Sequence, residues 1–81
     1  MKLITNEQQL NNVLKSLMGK HVAIGGKVPD DDRTGILHSI RFGIVEIRAP
    51  FQSPLLTSDI YTITCEGVKY QCDYRGDFDY A

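Results

Sequence analysis

Between Asp59 and Tyr80 the chain alternates apolar and polar residues more strictly than anywhere else, and a period of two belongs to extended backbone. Glu66 and Gly67 interrupt the alternation at the spacing of a two-residue hairpin turn. That turn sets Cys65 opposite Val68, Ile63 opposite Tyr70 and Tyr61 opposite Cys72 on one inward face. Thr64 opposite Lys69 and Thr62 opposite Gln71 then face solvent. From Val68 to Tyr80 the even positions are Val, Tyr, Cys, Tyr, Gly, Phe and Tyr, and the odd ones are Lys, Gln, Asp or Arg. The spacing predicts a long two-faced strand, broken at Gly76.

The front of the chain carries a different period. Leu10, Val13, Leu14, Leu17 and Met18 recur at helical spacing, with Gln9, Asn11, Asn12, Lys15 and Ser16 on the other side. Thr5 and Gln8 resemble a capping box, and Gly19 suits the left-handed residue that closes a helix. An amphipathic helix is expected over about residues 6–18. Val22 and Ile24 then mark a first strand before Gly25 and Gly26. Pro29 to Thr34 is a polar loop, Gly35 to Ile40 a second strand, and Ile44, Val45 and Ile47 a third. Arg41, Phe42 and Gly43 join the last two in a tight hairpin. Pro50 and Pro54 cannot donate to a ladder, so residues 50–58 read as a connection or an edge, made sticky by Phe51, Leu55 and Leu56. The expected fold is mostly β (α+β): an N-terminal helix followed by a strongly bent five-stranded antiparallel sheet or small barrel. It forms one domain over residues 1–81, with the β-rich region at about 20–80.

A chain of 81 residues is small for an independent core, so association with its own copies is expected as a further source of buried area. Its formal charge of −1, from 9 Lys plus Arg against 10 Asp plus Glu, provides no global field towards phosphate backbones. No apolar run has the length of a membrane span, and Met1 to Ile4 lacks the features of a signal peptide, which leaves a cytoplasmic location as the expectation.

Gly35, Ile36, Leu37, Ser39 and Ile40 resemble the first motif of the Sm and Sm-like family, a glycine followed by apolar residues on a bent second strand. Tyr74, Arg75, Gly76, Asp77 and Tyr80 resemble its second motif, an apolar residue before Arg-Gly with a final short strand after it. The resemblance implies a short helix followed by a strongly bent five-stranded barrel, subunit rings, and RNA held at the turn between strands two and three and at the Arg-Gly turn. Here those positions are Arg41, Phe42 and Arg75. The Asp and Asn typical of the family's first turn are absent, and a generic SH3-like barrel has the same element order.

Catalytic and metal chemistry find little to rest on. Asp30, Asp31 and Asp32 lack the alternate spacing and distal Glu of a calcium loop and read as a solvated turn. In the hairpin register Cys72 lies about 13 Å along the sheet from Cys65 at about 3.3 Å per residue, too far for a disulfide, so two buried free thiols are expected. His21 and His38 are accompanied by neither a nucleophile elbow nor a phosphate loop. No enzyme activity, cofactor or metal is expected. Arg33, His38, Arg41, Arg48 and Arg75, with Phe42 and Tyr74, compose a nucleic-acid patch only if the strands bring them together; in a regular second strand His38 and Arg41 point to opposite faces. The aromatic and acidic residues Tyr74, Asp77, Phe78, Asp79 and Tyr80 are the candidate partner-binding set. The expected function is that of a non-enzymatic interaction or regulatory protein, which self-associates and binds a protein partner. An RNA-binding Sm-like ring is the alternative, and an oligomer that sequesters a small nucleotide is the third.

Overall fold

The computed structural model describes residues 2–48 and 53–73. Its elements in chain order are β1 (Lys2–Ile4), α1 (Glu7–Ser16), β2 (His21–Gly26), β3 (Arg33–Arg41), β4 (Ile44–Arg48), β5 (Leu55–Leu56), β6 (Ile60–Cys65) and β7 (Val68–Cys72). Single 3-10 turns stand at Pro29–Asp31 and Thr57–Asp59. Among the described residues the strands form one seven-stranded sheet in the order β1-β7-β6-β2-β3-β4-β5. The fold is therefore mostly β with one N-terminal helix. The sheet exceeds the five strands expected, because β1 and the two-residue β5 carried no alternation of their own to reveal them.

The helix begins one residue later than the Thr5 capping box implies. Asn6 is the N-cap, its side chain accepting from the Gln9 amide at 2.8 Å, and the Gln9 side chain reaches back to the Thr5 amide at 2.9 Å. Leu10, Leu14 and Leu17 are buried while Met18, past the helix end, is exposed. Gly19 takes φ +81 and its amide donates to the Leu37 carbonyl at 2.9 Å, which fastens the helix exit to β3.

Both tight hairpins form where the sequence places them. Phe42 and Gly43 (φ 55 and 74) turn β3 into β4, and Glu66 and Gly67 (φ 52 and 80) turn β6 into β7. Two successive positive φ values are the type I′ geometry that matches strand twist. The β6–β7 register pairs Cys65 with Val68, Thr64 with Lys69, Ile63 with Tyr70 and Thr62 with Gln71. Both cysteines are buried and free.

Two bulges change the faces that simple alternation predicts. Gly25 pairs with Thr62 and Gly26 with Ile60, so Tyr61 is the extra residue of β6; Ile60 turns into the core, and Tyr61, expected inside, is half exposed. In β3, Leu37 pairs with Ile47 and Ser39 with Glu46, which makes His38 the extra residue. Arg33 and Thr34 belong to β3 rather than to the preceding loop.

Leu56 and Ile60 are joined by the Thr57–Asp59 turn alone. β5 and β6 are nonetheless separated in the sheet by β4, β3 and β2. Four flat strand spacings amount to about 19 Å, whereas four peptide units reach about 15 Å. The sheet is therefore curled, with its inward residues and α1 in one hydrophobic cluster.

Gly26 ends β2 and lies against the first 3-10 turn, which follows it directly in the chain. Its amide donates to the Asp32 carboxylate at 3.0 Å, and a β-carbon there would collide with the Asp31 side chain and backbone. Gly26→Ala is expected to lower unfolding free energy by about 1–3 kcal/mol in chemical denaturation. An unchanged midpoint would mean that the turn yields at no cost.

Candidate functional site at the Phe42 hairpin

One transverse row of the outer sheet face carries Arg41, Ile44 and Leu56 side by side, since Arg41 pairs with Ile44 and Ile44 with Leu56. Val45 and Ile47 are buried, so alternation turns Ile44, Glu46 and Arg48 outward. At the end of this row Phe42 is 94% exposed, with Ile44 at 38% and Leu56 at 52%. The row is braced from behind by the Thr57 amide, which donates to the Gly43 carbonyl at 2.8 Å.

The conformation of Phe42 is the informative detail. Positive φ is costly for a side chain with a β-carbon, by about 1–2 kcal/mol, and Asn or Asp is the usual occupant of this turn position. Glu66 holds the same position in the other hairpin, and there its carboxylate pairs with Lys20 at 2.9 Å and raises the Lys20 ammonium above its ordinary range. Phe42 has no such compensation in burial.

The bulge at His38 bears on the charges. It places His38, Ser39 and Arg41 outward together, and Arg48 from β4 approaches the His38 Nδ1 at 3.3 Å. The expectation that His38 and Arg41 oppose one another is thus corrected, because the strand is not regular. Ile36 stands between His21 and Arg48 in the next outward row but one, and Ser39 and Glu46 meet at 3.3 Å between the rows. Arg33 does not join this surface: it is buried, and its guanidinium donates to the carbonyls of Asp30 (2.7 Å), Asp32 (3.0 Å) and Ser53 (2.9 Å). It ties the first 3-10 turn to the segment before β5.

Of the residues predicted to bind RNA, Arg41 and Phe42 are neighbours on this surface, and Arg75 lies outside the described residues. The predicted partner-binding residues Tyr74, Asp77, Phe78, Asp79 and Tyr80 lie outside them as well. Ile44 was missed as a surface residue, although its outward phase follows once Val45 and Ile47 are placed inside; of the leucines expected to make the 50–58 connection sticky, Leu56 is exposed and Leu55 is buried. Among the described residues no group of three or more His, Cys, Asp or Glu side chains is arranged to hold a metal ion. No helix among them is long and apolar enough to cross a membrane. No family model, curated protein or solved structure matches this chain.

Phe42→Asn is expected to stabilise the fold by about 1 kcal/mol, since the turn strain is relieved and almost no buried area is lost. Thermal unfolding checks this. A lower melting temperature would show that Phe42 contributes to packing after all.

Proposed function

We propose that this chain is a non-enzymatic interaction module, a small Sm-like or SH3-like barrel that binds a protein segment at Phe42, Ile44 and Leu56 and associates with its own copies through the same surface. The barrel reading is supported by the three-residue link that draws β5 towards β6, by the helix that stands before β2 to β7, and by the bulge at His38 that bends β3. The binding reading is carried by one observation: a fully solvated phenylalanine kept in a strained turn conformation where asparagine would be more stable.

The neighbours of Phe42 define the partner's chemistry. Three apolar side chains in a row favour aromatic or aliphatic anchors, and Arg41 beside them with Arg48 further along favours carboxylates. An extended segment that mixes aromatic and acidic residues satisfies both. A second reading, single-stranded RNA, draws on the basic outer face that the His38 bulge assembles, with Phe42 as a stacking platform and Arg41 on the phosphates.

Fluorescent peptides of alternating aromatic and acidic residues, their basic counterparts, and an oligouridylate separate these readings. Binding of the acidic peptide is expected, with at least a tenfold loss of affinity on Phe42→Asn or Arg41→Glu. Sedimentation of the wild-type chain should show concentration-dependent association that Phe42→Asn removes. The protein reading fails if Phe42→Asn leaves both measurements unchanged; it gives way to RNA if oligouridylate alone binds, with a steep salt dependence that Arg41→Ala flattens.

A further inference from the structure

We infer that two copies of this chain pair by setting the Phe42 row of each against the first 3-10 turn of the other, and that this pairing competes with protein partners for the same row. The inference rests on the Phe42 surface being a site of self-association, and names what that surface meets. The row is apolar and basic: Phe42, Ile44 and Leu56 stand with Arg41. A two-fold contact of row with row sets Arg41 against its own image, a like-charge arrangement that opposes association. The complement therefore lies elsewhere on the chain, where apolar groups are joined by carboxylates.

The first 3-10 turn has that composition. Val28, 52% exposed, leads into Pro29, and Asp30, Asp31 and Asp32 follow. Asp59 is brought beside them by its carbonyl, which accepts from the Lys27 amide at 3.1 Å, so that four carboxylates face the two cations Lys27 and Arg33. The backbone of the turn is fixed from behind. Arg33 donates to the Asp30 and Asp32 carbonyls, and the Asp32 carboxylate accepts from the Gly26 amide at 3.0 Å. Val28, Pro29 and Asp30 are thus exposed on a turn already ordered before any contact is made.

The second 3-10 turn, Thr57–Asp59, links the two surfaces within one chain. Its first residue bonds the Phe42 hairpin, through the Thr57 amide and the Gly43 carbonyl at 2.8 Å, and its last bonds Lys27. Three residues of 3-10 turn rise about 6 Å at about 2.0 Å per residue. The hairpin tip and the start of the acidic turn are therefore neighbours. Two adjoining patches of opposite charge make a self-complementary surface, because a two-fold rotation lays each row on the other copy's turn and forms the same contact twice. Assembly then closes at two copies. Since Arg41 and Phe42 are covered in that dimer, a segment of another protein that carries aromatic and acidic residues must displace the second copy in order to bind.

Sedimentation equilibrium of the full chain with charge reversals tests this. The wild-type mass is expected to rise with concentration from 9.1 kDa to twice that value and no further. Arg41→Glu and Asp30→Lys/Asp31→Lys should each raise the dimer dissociation constant at least tenfold. An equimolar mixture of the two variants should recover it to within threefold, because each row then faces a turn of opposite sign. That recovery also shows that both variants fold. The alternating aromatic and acidic peptide, added in excess to the wild-type dimer, should return the mass to 9.1 kDa. The inference is overturned if Asp30→Lys/Asp31→Lys associates as the wild type does while Phe42→Asn does not, an outcome that leaves the Phe42 surface itself intact. Failure of the mixture to recover, growth beyond two copies, or peptide bound without loss of mass overturns it as well. If Phe42→Asn leaves association unchanged, or the wild-type chain stays monomeric, the self-association reading falls and this inference falls with it.

Discussion

The short link from Leu56 to Ile60 constrains everything else in this molecule. It obliges a sheet of seven strands to bend until β5 comes near β6, and bending is what allows one inward face and a ten-residue helix to share a single core. A flat sheet of the same strands would expose much of one side, since α1 alone is too short to cover it. The bulges at His38 and Tyr61 are the local means of that bend, each adding a residue to one strand and increasing its twist. The Arg33 guanidinium locks the same region, holding the backbone of the first 3-10 turn and of Ser53 in one hydrogen-bonded cluster.

The bend also explains the surface. At His38 the extra residue changes the phase of β3, so that the side chains before and after the bulge meet on the outside instead of alternating. Arg41 therefore joins Ile44 and Leu56, while His38 reaches Arg48. With a net charge of −1, the chain exerts no long-range pull on polyanions, and any selectivity must come from such local rows.

What the sequence made legible follows from how local each determinant is. The helix stripe and both type I′ turns were readable because their signals lie within a few adjacent residues, and the Glu66–Gly67 register came out residue for residue from Thr62 to Gln71. The bulges were not readable, since an extra residue has meaning only against a partner strand, and Tyr61 was accordingly placed inside. β1 was missed for a related reason. Its three residues show no period, and its partner Tyr70 stands at the other end of the sequence. The capping residue shifted by one because Thr5, Asn6, Gln8 and Gln9 offer two overlapping boxes; Asn6 with Gln9 leaves Thr5 free to bond the Gln9 side chain as well. Of the candidate site, Arg41 and Phe42 were legible from the turn, whereas the apolar row needed the β4–β5 pairing to define it.

The two hairpins make a natural comparison within one chain. Both place a non-glycine residue at positive φ before glycine, and both turns are exposed. At Glu66 the side chain has an ionic partner, Lys20, from the segment that follows α1. At Phe42 the side chain projects into solvent. A domain of this size has only about 4–12 kcal/mol of net stability at ordinary per-residue values, so a turn strain of about 1–2 kcal/mol is a sizeable fraction of it. Folding alone gives no reason to place a phenylalanine there. Rigid presentation of an aromatic ring does, because a braced hairpin fixes the ring before a partner arrives and so reduces the ordering cost of binding.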